Sequence, residues 1–202
     1  KTKRAEEATY VDGLKAGPST LWHENGQVKE KGQYEKDLMV GSWKGWHDNG
    51  EAWYEGSYES GAKQGPWKFW HPNGQLYTDG SYDNDKEVGD WTFFHPGGQK
   101  LSQGRFVDGQ EDGPWTRWHE DGAVASRENW VAGLKQGAWQ EWYPNGQSRL
   151  VATFVDGELD EVAGASAIAH LEECSVCRAF FDDARAQVRA HRELADPAGL
   201  LA

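Results

Sequence analysis

The sequence is short of cysteine, with 2 in 202 residues, and it has a single methionine. Both cysteines, Cys174 and Cys177, sit in one C-x-x-C, which excludes the multiply bridged scaffold of a small secreted domain. Leu, Ile and Val are sparse, which excludes a thick aliphatic interior as the main source of stability. No run approaches the ~20 apolar residues of a membrane-spanning helix. Positive charge is in deficit as well: the formal net charge is −12, and residues 1–157 and 158–202 are each acidic. Nucleic acid and anionic membrane are therefore poor partners, and a basic protein surface is a better one. The motifs of common catalysts are missing too. There is no phosphate-cradling glycine loop, no H-E-x-x-H, no G-x-S-x-G, and no nucleophile–base pair stands out, so the chain reads as a non-enzyme.

What is abundant is aromatic and glycine: 12 Trp, 7 Tyr, 7 Phe and 25 Gly. Rings without aliphatics imply flat stacking on a sheet, and many glycines imply many tight turns. Their placement is periodic. Tyr10, Tyr34, Tyr58, Tyr82, Phe106, Trp130 and Phe154 follow one another at steps of 24. Trp43, Trp67, Trp91, Trp115 and Trp139 keep the same step, as do Trp22, Trp46, Trp70, Phe94, Trp118 and Trp142. Internal self-similarity of this kind is the signature of a repeat architecture, because one unit cannot bury its own rings and a stack can.

Each unit reads as a β-hairpin. A short aromatic segment such as SWKGWH leads into Asn-Gly, the strongest short hairpin cue because both residues tolerate positive φ. A second strand follows, then a looser glycine-containing connection. Six repeats fill about 10–153 and a seventh begins at Phe154. The two Trp of SWKGWH are three residues apart, so a regular strand points them to opposite faces. Gly32, Gly56, Gly80 and Gly104 leave room for a ring from a neighbouring strand to lie flat. The expected fold is mainly β, an elongated single sheet of antiparallel hairpins advancing ~10 Å per repeat to roughly 60 Å. The last repeats deviate, with Glu128 and Ala152 in the glycine position.

These residues resemble the MORN-type repeat, in particular the bacterial variant with G-x-W-x-x-W-x-x-N-G-Q followed by aromatic-x-x-G. The resemblance covers about 10–157 and implies an antiparallel hairpin sheet. Bacterial members often carry the label antitoxin, which implies protein binding.

His23, His47, His71, His95 and His119 also recur at the period. Equivalent atoms ~10 Å apart do not share one metal ion. The spacing places these histidines at the hairpin shoulder beside Trp. The indoles admit two readings. Trp46, Trp70, Trp118 and Trp142 form a row that grips a peptide or stacks on sugar rings, or they are the core of a thin sheet.

From about 158 the composition changes: alanine rises, glycine falls and tryptophan vanishes. Helices are expected at 159–173 and 176–194, a two-helix, zinc-finger-like module after the 1–9 segment and the 10–157 repeats. His170, Cys174 and Cys177 form H-x-x-x-C-x-x-C, a spacing that fits tetrahedral zinc. A metal-free redox dithiol and a disulfide are the other readings of the same residues. The stretch is similar to the zinc-binding domain of bacterial anti-sigma factors, whose pattern runs D-G-E-L, a short helix, then H-L-x-x-C-x-x-C-R. The resemblance implies zinc at His170, Cys174 and Cys177 and a helical surface, with Phe180, Phe181 and Val188, that binds an alternative sigma factor. The family's further ligand falls near Asn145, where this chain has none, leaving Asp156, Glu158, Asp160 or water for the fourth position.

The expectation is a cytoplasmic, non-enzymatic interaction scaffold whose tail binds a regulatory protein. The alternative is an exported structural or adhesive protein that self-associates or holds glycans, with the tail capping the sheet edge.

Overall fold

The structure, a computed structural model, describes residues 5–162, which form fifteen strands and, among the described residues, no helix. They are β1 (Glu6–Val11), β2 (Leu14–Trp22), β3 (Val28–Glu35), β4 (Leu38–Trp46), β5 (Ala52–Glu59), β6 (Ala62–Trp70), β7 (Leu76–Asp83), β8 (Lys86–Phe94) and β9 (Lys100–Val107). Then follow β10 (Gln110–Trp118), β11 (Val124–Val131), β12 (Leu134–Lys135), β13 (Gly137–Trp142), β14 (Ser148–Val155) and β15 (Glu158–Val162). Two compact units are present. The first takes in the chain to Glu111 and the tip Glu120–Gly122; the second takes in Asp112–His119 and the strands from Ala123 on.

In the first unit each strand from β1 to β8 pairs antiparallel with its successor. In the second, β10 pairs with β11, β11 with both β12 and β13, β13 with β14, and β14 with β15. The pairing is wholly local, as the 24-residue period demands.

The turn chemistry is the reverse of the expected one. The connections expected to be loose are tight two-residue turns in which both central residues take positive φ, for example Asp156 at 51° and Gly157 at 83°. That is the mirror-image turn whose twist matches the flanking strands. At the Asn-Gly connections only the glycine is left-handed, Gly26 at 89° for example. There the asparagine side chain is the working part. Asn25 Oδ1 accepts the Gln27 amide at 2.9 Å, closing an Asx turn.

Two expected boundaries move. The segment assigned to a helix from 159 begins instead as β15, with Val155↔Glu158 and Phe154↔Leu159 in register. The Asp156–Gly157 turn dictates this, since it folds the next residues back along β14, and Leu159 packs against buried Phe154. At the other end β1 begins at Glu6, inside the segment expected to precede the repeats, because the Asp12–Gly13 turn pairs Val11 with Leu14. The 176–194 helix lies outside the described residues.

Candidate functional site

One face of the first unit is a ladder of buried rings. Trp43, Trp67 and Trp91 are each only 2% exposed. Each lies against a glycine of the preceding strand. A Cβ added at Gly32, Gly56 or Gly80 would sit 2.1 Å from the indole Cδ2 of Trp43, Trp67 or Trp91. The sequence expectation for those glycines therefore holds. Tyr54 and Phe69 stack on Trp67 at 5.7 Å and 23° each, while Tyr58 and Tyr82 meet it edge-on. The cross-strand pairs beside the ladder carry one large ring each: Gly45↔Tyr54, Phe69↔Thr78 and Phe93↔Ser102. The ring changes strand between repeats, with a small residue on one side of it, and where the change occurs two rings meet in register, Tyr54↔Phe69.

Burial in this ladder pushes the phenols of Tyr34, Tyr54, Tyr58 and Tyr82 up. Tyr58 reaches about 12, burial acting first and the nearby Glu30 carboxylate second. None of these phenols ionises at neutral pH, so the row offers no acid–base chemistry there.

The histidines join repeats rather than ligands. His23 Nε2 donates to the Trp46 carbonyl at 2.8 Å, His47 to Trp70 at 2.9 Å, His71 to Phe94 at 3.0 Å and His119 to Trp142 at 2.9 Å. The asparagine amides run beside them: Asn25 Nδ2 donates to Asp48 O at 2.5 Å, Asn49 to Pro72 at 2.6 Å and Asn73 to Pro96 at 2.8 Å. Each bond spans 23 residues, from one turn to the next. Among the described residues no three His, Cys, Asp or Glu side chains are grouped to hold a metal.

The opposite face is the candidate surface. Register partners share a face, and they trace a row across it: Thr20↔Lys31↔Lys44↔Glu55↔Lys68↔Asp79↔Thr92. Lys44 Nζ lies 3.2 Å from Glu55 Oε2. Two residues beyond Lys44 and Lys68 on the same strands stand Trp46 and Trp70, half-buried and outside the buried ring cluster. The two Trp of each aromatic segment thus do face opposite ways. In the second unit Arg127, register partner of Gln140, holds its guanidinium 5.7 Å from the Trp142 ring. Trp118 ends β10 and is half-buried. Charge composition alone missed this row, since lysines of one strand lie beside carboxylates of the next only after pairing.

The second unit handles its glycine position differently. Glu128 is buried there, and its carboxylate collects three donors: Arg117 Nε at 2.9 Å, Ser126 Oγ at 2.5 Å and Trp130 Nε1 at 3.0 Å. Each oxygen is satisfied inside the fold, so the group anchors structure. Nothing in the sequence pattern marks it except the loss of glycine.

Of the residues singled out from sequence, His170, Cys174, Cys177, Phe180, Phe181 and Val188 lie outside the described residues. Of the fourth-ligand candidates, Asp156 occupies a turn, where its amide donates to Gln136 Oε1 at 2.8 Å, and Glu158 and Asp160 lie on β15.

A family model described as a MORN repeat variant matches the chain at residues 15–36, 63–84 and 135–156. These are windows of one phase, starting 48 and 120 residues after the first, two and five times 24. Each spans an aromatic strand, its turn and the strand that returns. No curated protein matches the chain. Among solved structures, a Bacteroides fragilis protein of unknown function aligns over 80% of this chain and 92% of its own, at 7% identity and a TM-score of 0.14, and carries no structural argument.

Proposed function

We propose that these MORN-like repeats form a non-enzymatic interaction scaffold and that the segment after them is a zinc-binding tail that captures a regulatory protein. The observation that carries the scaffold reading is the second sheet face. Half-buried Trp46 and Trp70 stand there beside a row of charges, with the buried ladder on the other side. A sheet whose stability comes from one face has its other face free for recognition, and large rings flanked by charge are what interfaces use. The tail adds two thiols and an imidazole, at Cys174, Cys177 and His170, a soft donor set suited to zinc. Its resemblance to anti-sigma factors makes an alternative sigma factor the partner to try first, in a reducing, cytoplasmic compartment.

Zinc per chain and free thiols, counted on material purified without added metal, test the tail. About one zinc, lost in Cys174→Ser, is expected. Cys174→Ser is also expected to abolish binding to a sigma factor of the same genome while near-ultraviolet dichroism of the Trp ladder is unchanged. Binding retained by Cys174→Ser would overturn the regulatory reading. Absence of zinc with both cysteines oxidised would replace it with an exported, self-associating protein.

A further inference from the structure

The charge row on the second face reads Lys31, Lys44, Glu55, Lys68, Asp79 and Thr92 from β3 to β8. Successive members lie on adjacent strands, ~4.8 Å apart. The central four alternate in sign, plus, minus, plus, minus. Such a row is its own complement when reversed. A two-fold axis parallel to the strands, passing between Glu55 and Lys68, does the reversing. It sets Glu55 of one copy against Lys68 of the other, Lys44 against Asp79, and Lys31 against the uncharged Thr92. Four opposite-sign contacts result and no like-sign contact.

The aromatic row obeys the same operation. Trp22, Trp46, Trp70 and Phe94 occupy alternate strands, β2, β4, β6 and β8, each two residues beyond a member of the charge row, so they run along one side of it. Because the axis runs along the strands, aromatic row meets aromatic row. Because it passes between β5 and β6, the rings of each copy fall over strands that carry no ring of this series. The two rows interleave at ~4.8 Å instead of colliding.

We infer that this face is a self-docking surface, and that its occupant is a second copy of the chain in an isologous two-fold dimer. The dimer also relieves a local conflict. Lys31 and Lys44 are direct register partners of like charge, an unfavourable arrangement within one chain, and Asp79 of the second copy stands opposite Lys44. The five strands β4–β8 offer a face of about 24 by 30 Å, roughly 700 Å² per copy, close to a standard interface. Twisted sheets pack face to face at about −30°, so their twist does not forbid the contact. The indoles supply the area and the charges set the register.

The inference rests on the reading of this face as an interaction surface, and it names the partner. The test is charge reversal on the full chain, followed by sedimentation equilibrium. The wild type is expected to dimerise. Glu55→Lys and Lys68→Glu each place like charges across the axis, and each is expected to weaken self-association at least tenfold. An equimolar mixture of the two variants restores every opposite-sign contact and is expected to form a heterodimer near wild-type affinity. The double variant Glu55→Lys/Lys68→Glu is expected to dimerise again by itself. Thermal unfolding of each variant controls for folding. A wild type monomeric up to about 1 mM, the weak limit of specific association, would overturn the inference. So would a dimer indifferent to both single reversals, or a mixture that stays monomeric. Zinc and sigma-factor binding are read in separate assays, so loss of the dimer alone leaves the tail's proposed role standing.

Discussion

Trp67 and Trp139 hold the same place in the 24-residue period, yet the chain secures them by different chemistry. Trp67 lies on Gly56, donates its Nε1–H to the Ser57 carbonyl at 3.2 Å, and is stacked upon by Tyr54 and Phe69, themselves 6.4 Å apart. Trp139 has Glu128 in the position of that glycine and Ala152 in register. It donates to Glu141 Oε1 at 2.9 Å, and rings meet it edge-on, Trp130 at 5.3 Å and Phe154 at 5.5 Å. The first region stabilises a ring by leaving out a side chain. The second keeps the side chain and gives the indole N–H a carboxylate. The Trp position is therefore constant, and the hydrogen-bond acceptor and the cradle are exchangeable as a set.

The largest effect should come from refilling the empty cradle. Gly56→Ala places a methyl 2.1 Å from the Trp67 ring. A loss of about 3 kcal/mol in unfolding free energy is expected by denaturant titration, at the upper end of overpacking costs. A loss below about 1 kcal/mol would mean the indole can slide, and the contrast with Trp139 would collapse.

Next is the buried carboxylate of the second region. Glu128→Ala removes the acceptor for Arg117, Ser126 and Trp130 together. A cost of about 2 kcal/mol is expected, since buried donors are left unpaired. The paired variant Glu128→Gly should not restore stability, because Trp139 is oriented toward Glu141. Full restoration would show that the two regions use one design after all.

Alkali should separate the regions without mutation. The tyrosine positions Tyr34, Tyr58 and Tyr82 continue in the period as Phe106, Trp130 and Phe154, which do not ionise. Burial raises the phenol pKa in the folded state, so the unfolded chain loses its protons first and stability falls as pH rises. The decline should start near pH 10, the ordinary tyrosine value, and extend to about 12, where Tyr58 titrates. Hydrogen exchange at stepped pH should show the first unit opening ahead of the second. Simultaneous opening would place the sensitivity elsewhere.

A smaller effect attaches to the turn-to-turn staples. His47→Ala deletes the bond to the Trp70 carbonyl and should cost about 1 kcal/mol. Smallest of all is Lys44→Ala on the second face, where the side chain is exposed; unfolding free energy is expected to change by about 0.5 kcal/mol or less, while dimerisation weakens. A large stability loss would make Lys44 a structural residue and withdraw it from recognition.

Much of this was legible in the residues. Rings and glycines at a fixed step imply locally paired hairpins, and Trp over Gly follows from size alone. The histidine series was correctly placed at the hairpin shoulder, though its carbonyl partners in the next repeat were not foreseen. Asn-Gly misled, because the same dipeptide that favours a tight turn also supplies an Asx bond. The short pairs Asp12–Gly13 and Asp156–Gly157 were the better cue for the tight turns. The polar strand β1 and the strand β15 were missed because neither alternates strongly enough to stand apart from its flanks.

The 24-residue step, read from composition and order alone, settles that residues 10–157 are a run of β-hairpins with a ring ladder as their core. It does not settle which side chains face one another. Register shifts between Lys31 and Gln33 and between Gly45 and Trp46 decide that Lys31 lies beside Lys44 and that Lys44 lies beside Glu55. A shift of one residue would have sent every one of those charges to the ring side. Register is a property of two strands held together by bulges and turns, and no single strand's sequence contains it.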